Sequence, residues 1–159
     1  MEDIFVGLVL VVAVACALAA FFLAVRLLFP VRTRSIQEAA EAMHARAFFL
    51  GLVNGLFFAA LILGLFSLAD STGMAFLFLP ALCLCAILLA ALAYGLTGVV
   101  QLVGTRLLPD GSANRQTIAG AVVLILGCLA PFVGWFGLSF YISFLGLGAV
   151  IVSFFRKRF

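Results

Sequence analysis

The sequence predicts an all-α fold, a polytopic transmembrane helical bundle with four to five membrane-embedded helices, in a single domain covering residues 1–159. Three observations carry this expectation. Hydrophobic residues make up 67% of the chain and charged residues only 9%, with a mean hydropathy of +1.39, whereas a soluble domain carries about 25% charge. The apolar residues fall in long blocks separated by short polar breaks. Within those blocks polar and apolar residues do not alternate, so helices rather than barrel strands must satisfy the backbone in lipid. The lipid bilayer is therefore the first partner implied. A net charge of only +3 gives no indication of nucleic-acid binding.

The first block, 4–29, holds a single charge, Arg26, near its end. It opens behind Glu2 and Asp3 rather than a basic segment, and it exceeds the ~7–15 apolar residues of a signal peptide. It is expected to remain as a helix. The second block, 47–68, and the third, 75–103 with Pro80 in its first turn, follow the same pattern. Each exceeds the ~20 residues that cross a ~30 Å hydrocarbon core.

The stretch from Thr117 to Phe155 would be about 58 Å long as one helix, nearly twice that core. It contains Pro131-Phe-Val-Gly134-Trp135. Proline removes a helical donor and clashes with the preceding turn, while glycine accepts turn dihedrals. Two helices, 117–131 and 135–155, forming a hairpin at Pro131, Gly134 and Trp135 are the expected result. The first limb is short, so five spans compete with three spans plus a re-entrant hairpin.

Charge placement supports a reversal. With the N-terminus outside, all nine basic residues (Arg26, Arg32, Arg34, Arg46, Arg106, Arg115, Arg156, Lys157 and Arg158) fall at cytoplasmic ends or loops, as the positive-inside rule requires. Outside segments then hold Glu2, Asp3 and Asp70, and Trp135 sits at the outer interface. Arg32, Arg34, Arg156, Lys157 and Arg158 form the cytoplasmic anchor. The C-terminus is cytoplasmic, and a bacterial inner membrane is the expected location.

The cytoplasmic interfacial segment 30–46 carries Ser35-Ile-Gln-Glu38, the spacing of a capping box, which predicts a helix start there. Ile36, Ala40, Met43 and Ala47 then share one face. This reads as an interfacial helix, or as a docking surface for a soluble partner.

No catalytic, cofactor or metal site emerges. Cys16, Cys83, Cys85 and Cys128 lie inside apolar blocks, where free cysteine packs as a small hydrophobe. His44 has only Glu41 nearby at helical spacing, too few ligands for a metal. At depth the polar residues are Asn54, Tyr94, Thr97, Ser139 and Ser143, none of them ionisable near neutral pH. Helix-packing chemistry is plainer. Gly51-Leu-Val-Asn54-Gly55 is a GxxxG motif, and Ala91–Gly95 and Ser139–Ser143 repeat the small-xxx-small spacing. These positions pack the chain's own bundle, or they meet other membrane subunits or a second copy.

The run from Arg115 through Pro131-Phe-Val-Gly-Trp135 to Leu145-Gly-Leu-Gly-Ala149 resembles the hydrophobic hairpin of membrane-linked bactofilin-type bacterial proteins. The rest looks like small polytopic bacterial membrane proteins of uncharacterised role. The soluble β-helical domain of bactofilins has no counterpart in this sequence, so the resemblance implies neither polymer formation nor any functional residue.

Two functional expectations follow. One is a non-enzymatic structural, accessory or anchoring subunit acting through helix–helix contacts. The alternative is a small transporter or channel whose path lies near the broken Pro131 region.

Overall fold

The computed structural model describes residues 2–129 and 132–156. Among the described residues the regular structure is entirely helical: α1 (Glu2–Leu28), α2 (Pro30–Ala42), α3 (His44–Thr72), α4 (Phe78–Leu107), α5 (Ala113–Leu129) and α6 (Ser139–Arg156). A short 3-10 turn, Ala75–Leu77, precedes α4, and a π-helical turn, Val133–Leu138, precedes α6. Pro131, Lys157 and Arg158 lie outside the described residues, so the expected roles of Pro131 as turn and of Lys157 and Arg158 as anchor have no structural counterpart here.

Local chemistry sets the boundaries. α2 begins at Pro30, not at Ser35 as the capping-box spacing predicts. Proline at the first helical position lacks only an N–H that would be unpaired anyway, and Ser35 Oγ instead donates to the Arg32 carbonyl at 2.8 Å. The helix breaks at Met43, whose backbone is non-helical (φ −140, ψ 51), so Ala47 belongs to α3 and the expected continuous face is interrupted. α3 ends at Gly73 with φ 65, the left-handed cap that glycine adopts without Cβ strain.

α5 packs on α1 and α4, α6 packs on α4 and α3, and α3 also meets α4 directly. α5 runs antiparallel to α4: Gly120 meets the Val100 backbone and Gly104 meets Gln116. α6 runs parallel to α4, with Gly95 against Gly146, and antiparallel to α3, where Gly148 meets Ala47 and Gly51. α2 crosses one end, burying Ile36 and Ala40 against Leu102, Ala149 and Val150. Much of the core is alanine and glycine rather than large side chains. Close backbone approach, with its many van der Waals contacts, therefore holds these helices together.

The chain does reverse between α5 and α6, but the limbs do not pair as a hairpin. α4 packs against both limbs along their length, and the limbs themselves meet beside the π-helical turn, where Ser139 Oγ lies 3.5 Å from Cys128 Sγ. The reversal uses Phe132 at φ 63 and a buried Gly134, where an added Cβ would overlap the Gly127 carbonyl. The match of Gly95 with Gly146 puts Leu138 level with about Ile87, and α4 continues to Phe78, roughly 14 Å further along its axis.

Among the described residues four helices are long and apolar enough to cross a membrane: Phe5–Leu28, His44–Thr72, Ala75–Leu107 and Phe136–Phe155. α5, with 17 residues, reaches about 25 Å, short of a ~30 Å core. The fifth expected span is therefore a shorter apolar helix. The accessible surface is 10260 Å², against about 7,700 Å² for a compact soluble chain of 16.9 kDa. The excess and the exposed Phe, Leu and Val side chains along α1, α3 and α4 show a bundle that leaves apolar faces open to its surroundings.

Candidate functional site

Polar side chains gather where α2 crosses the bundle. From α1, Arg26 Nη1 donates to Asn114 Oδ1 and to Thr117 Oγ1 of α5, each at 3.1 Å. Arg26 thus ties two helices together instead of extending alone to a surface. Gln37 Nε2 of α2 donates to Thr105 Oγ1 of α4 at 3.2 Å. Gln116 Nε2 donates to the Leu108 carbonyl at 2.8 Å, securing the α4–α5 loop. Between these groups lies a cleft of about 450 Å³ lined by Arg26, Arg34, Gln37, Gln101, Thr105 and Gln116.

Gln101 is the unusual member. Its side chain is 6% exposed, and Nε2 has no hydrogen-bond partner among the described residues. An unpaired buried donor costs about 1–3 kcal/mol, so this amide requires an explanation. Gln101 escapes a reading by hydropathy because it sits inside the third apolar block, where it is the sole Asn or Gln. That isolation was itself the available signal.

The residues singled out from sequence fall into three groups. Gly51, Gly55 and Gly95 lie in helix seams: Gly51 against Phe144 and Gly148, Gly55 against the Phe144 ring, Gly95 against Gly146. Of three polar positions, only Ser139 reaches another helix among the described residues, its Oγ lying 3.5 Å from Cys128 Sγ of α5. Asn54 Nδ2 donates to the Leu50 carbonyl of its own helix at 2.8 Å. Ser139 Oγ donates to the Gly134 carbonyl and Ser143 Oγ to the Ser139 carbonyl, and both serines border an apolar recess between α3, α4 and α6. Ala91 is half-buried and borders a second apolar groove beneath Arg32 and Phe154. The Arg32 guanidinium lies 5.8 Å from the Phe154 ring centroid, a cation–π arrangement. Arg34 pairs with Glu38 at 3.4 Å, and Arg156 closes α6.

Cys16 and Cys83 are exposed rather than packed, while Cys85 and Cys128 are half-buried. His44 and Glu41 occupy different helices across the Met43 break. No three His, Cys, Asp or Glu residues converge among the described residues.

A second feature lies on α1. Before Phe22 no described residue of this helix is buried. Ala13, Cys16, Ala17, Ala20 and Ala24 are all exposed, and their spacing places them on one face. The chain's glycine seams lie within the α3–α6–α4–α5 packing, whereas this stripe of small residues stays exposed.

No family model matches the chain, and no curated protein or solved structure matches it either.

Proposed function

We propose that the chain is a non-enzymatic integral membrane protein, an accessory or anchoring subunit that holds a helix of another membrane protein through α1. The observation that carries this reading is the exposed small-residue face Ala13–Cys16–Ala17–Ala20–Ala24 on a helix with no buried residue among those described before Phe22. In lipid, where exposed apolar surface gains nothing from mutual burial, small residues that let backbones approach are what draws helices together. α3, α4 and α6 supply a rigid body for such an arm, because their own small residues already face one another. The basic residues gathered at the α2 end support placing that end in the cytoplasm and the start of α1 outside, in a bacterial inner membrane.

Extraction of the natively expressed protein in nanodiscs, with the particle mass measured and co-purifying proteins identified, tests this. A stoichiometric membrane partner is expected with the unaltered chain and its loss with Ala17→Leu plus Ala20→Leu. A clean homo-oligomer, or a partner retained by that variant, would contradict the proposal. The transporter or channel alternative draws on the π-helical break at Val133–Leu138. It would be favoured by ion or solute flux in liposomes that Gly134→Ala abolishes.

A further inference from the structure

We infer that the cleft between α1, α2, α4 and α5 is a binding site for a phosphate group, borne by a lipid headgroup or free in solution. Arg26 and Arg34 with Gln37, Gln101 and Gln116 border a space of about 450 Å³; the Gln37 and Gln116 amides already bond Thr105 and Leu108, so the two arginines and Gln101 are its open donors. No carboxylate lines it among the described residues, and the one ion pair at its edge joins Arg34 Nε to Glu38 Oε1 at 3.4 Å on the exposed side of α2. Arg26 spends Nη1 on Asn114 and Thr117 and is thereby fixed in place with its remaining donors uncommitted to any hydrogen bond among the described residues.

Two independent features point to an oxyanion. Ala113, the first residue of the 17-residue helix α5, borders the cleft, so the unpaired N–H groups and positive dipole end of that helix lie beside it. Gln101, 94% buried by its 6% exposure, holds Nε2 without an acceptor among the described residues. Rotation of this amide toward the cleft that Gln101 lines lets a phosphate oxygen supply the missing acceptor, and planar guanidinium groups bind phosphate by paired N–H donors. The size of the cleft also suits a phosphate with its ester substituent better than a bare halide. Its position among the basic residues at the α2 end is the level at which phospholipid headgroups meet a membrane protein.

The test uses the full chain, delipidated in a sugar-based detergent and phosphate-free buffer. Inorganic phosphate and dioctanoyl phosphatidic acid are titrated separately, with native mass spectrometry counting bound ligand and a thermal-unfolding assay reporting stabilisation. At least one is expected to bind at a stoichiometry of one and to raise the Tm. Binding of the lipid alone assigns the site to a headgroup, and binding of both assigns it to phosphate from either source. Gln101→Leu is expected to weaken binding tenfold or more while keeping or raising the Tm without ligand, since it removes the orphaned donor. Arg26→Met should weaken binding at least as much. Failure of both ligands to bind, or equal affinity in the unaltered chain and Gln101→Leu, would overturn the inference.

Discussion

Gly51 of α3 and Gly148 of α6 pass so closely that neither helix has room for a side chain at the crossing. A Cβ on Gly51 would overlap the Phe144 carbonyl and come within 2.7 Å of Gly148 N, and one on Gly148 would overlap the Ala47 carbonyl and come within 2.9 Å of Gly51 N. Two residues earlier, Gly146 meets Gly95 of α4. Residues two apart on a helix point about 200° away from each other, so α6 presents a glycine to each neighbour and acts as the wedge between α3 and α4.

Gly148→Ala is therefore expected to destabilise the bundle by about 3 kcal/mol, the upper part of the range for forced overpacking against a rigid neighbour. Gly64, with nothing within 4 Å of its Cβ position, is the control. Gly64→Ala should be neutral or stabilising by up to ~1 kcal/mol, as alanine favours helix over glycine. Denaturant titration in a mild detergent, read by far-UV circular dichroism, measures both.

Gly95 and Gly146 form one contact seen from two sides, because each added Cβ would meet the other residue's backbone. Once either alanine has pushed α4 and α6 apart, the second has less left to disrupt. The double variant Gly95→Ala/Gly146→Ala should fall short of the sum of the singles by about 1 kcal/mol or more. Strict additivity in the same titration would contradict the shared crossing.

Asn54→Leu should change stability by less than about 0.5 kcal/mol. The amide bonds the Leu50 carbonyl within α3, a carbonyl already held in the helix ladder, so its loss leaves no partner stranded. A larger loss would indicate an interhelical bond that the present geometry does not contain.

Arg26→Met is expected to cost about 1 kcal/mol, allowing for partial solvent screening of a charged hydrogen bond. Arg26→Lys should not restore it. One guanidinium nitrogen, Nη1, reaches both Asn114 Oδ1 and Thr117 Oγ1, and the lysine stem is a bond too short to carry its ammonium to the Nη1 position. Thermal unfolding of the two variants side by side is the measurement.

The helical class and the long blocks were legible because hydropathy is summed over many residues: α3 contains the 47–68 block, and α1 and α4 cover all but the edges of the 4–29 and 75–103 blocks. The chain reversal after α5 was legible too, since about 58 Å of continuous apolar helix fits no bilayer. What lay beyond reading was which helix stands beside which. Composition is the same whether α5 pairs with α6 or α4 divides them, and only the close meeting of Gly95 with Gly146 and Gly120 with Val100 decides it. The start of α2 was misplaced because Ser35 and Glu38 have cap spacing, yet Pro30 had already set the first turn. Gly51, Gly55 and Gly95 were found by spacing alone, while Asn54 was overvalued, since sequence does not reveal whether an amide turns to its own helix or outward. Gln101 needed three dimensions, because its meaning depends on Arg26 and Gln37 arriving from other helices.

The most direct test of α1 as a partner-binding arm is site-specific photocrosslinking in native membranes. A photoreactive amino acid replaces Ala17 on the exposed small-residue face, Val12 on another exposed part of α1, or Leu63 on α3. The expected result is one discrete adduct of defined mass from position 17, with little from position 12 and none from Leu63. Crosslinks to lipid alone at position 17, or equal protein adducts from all three positions, would contradict lateral docking through α1.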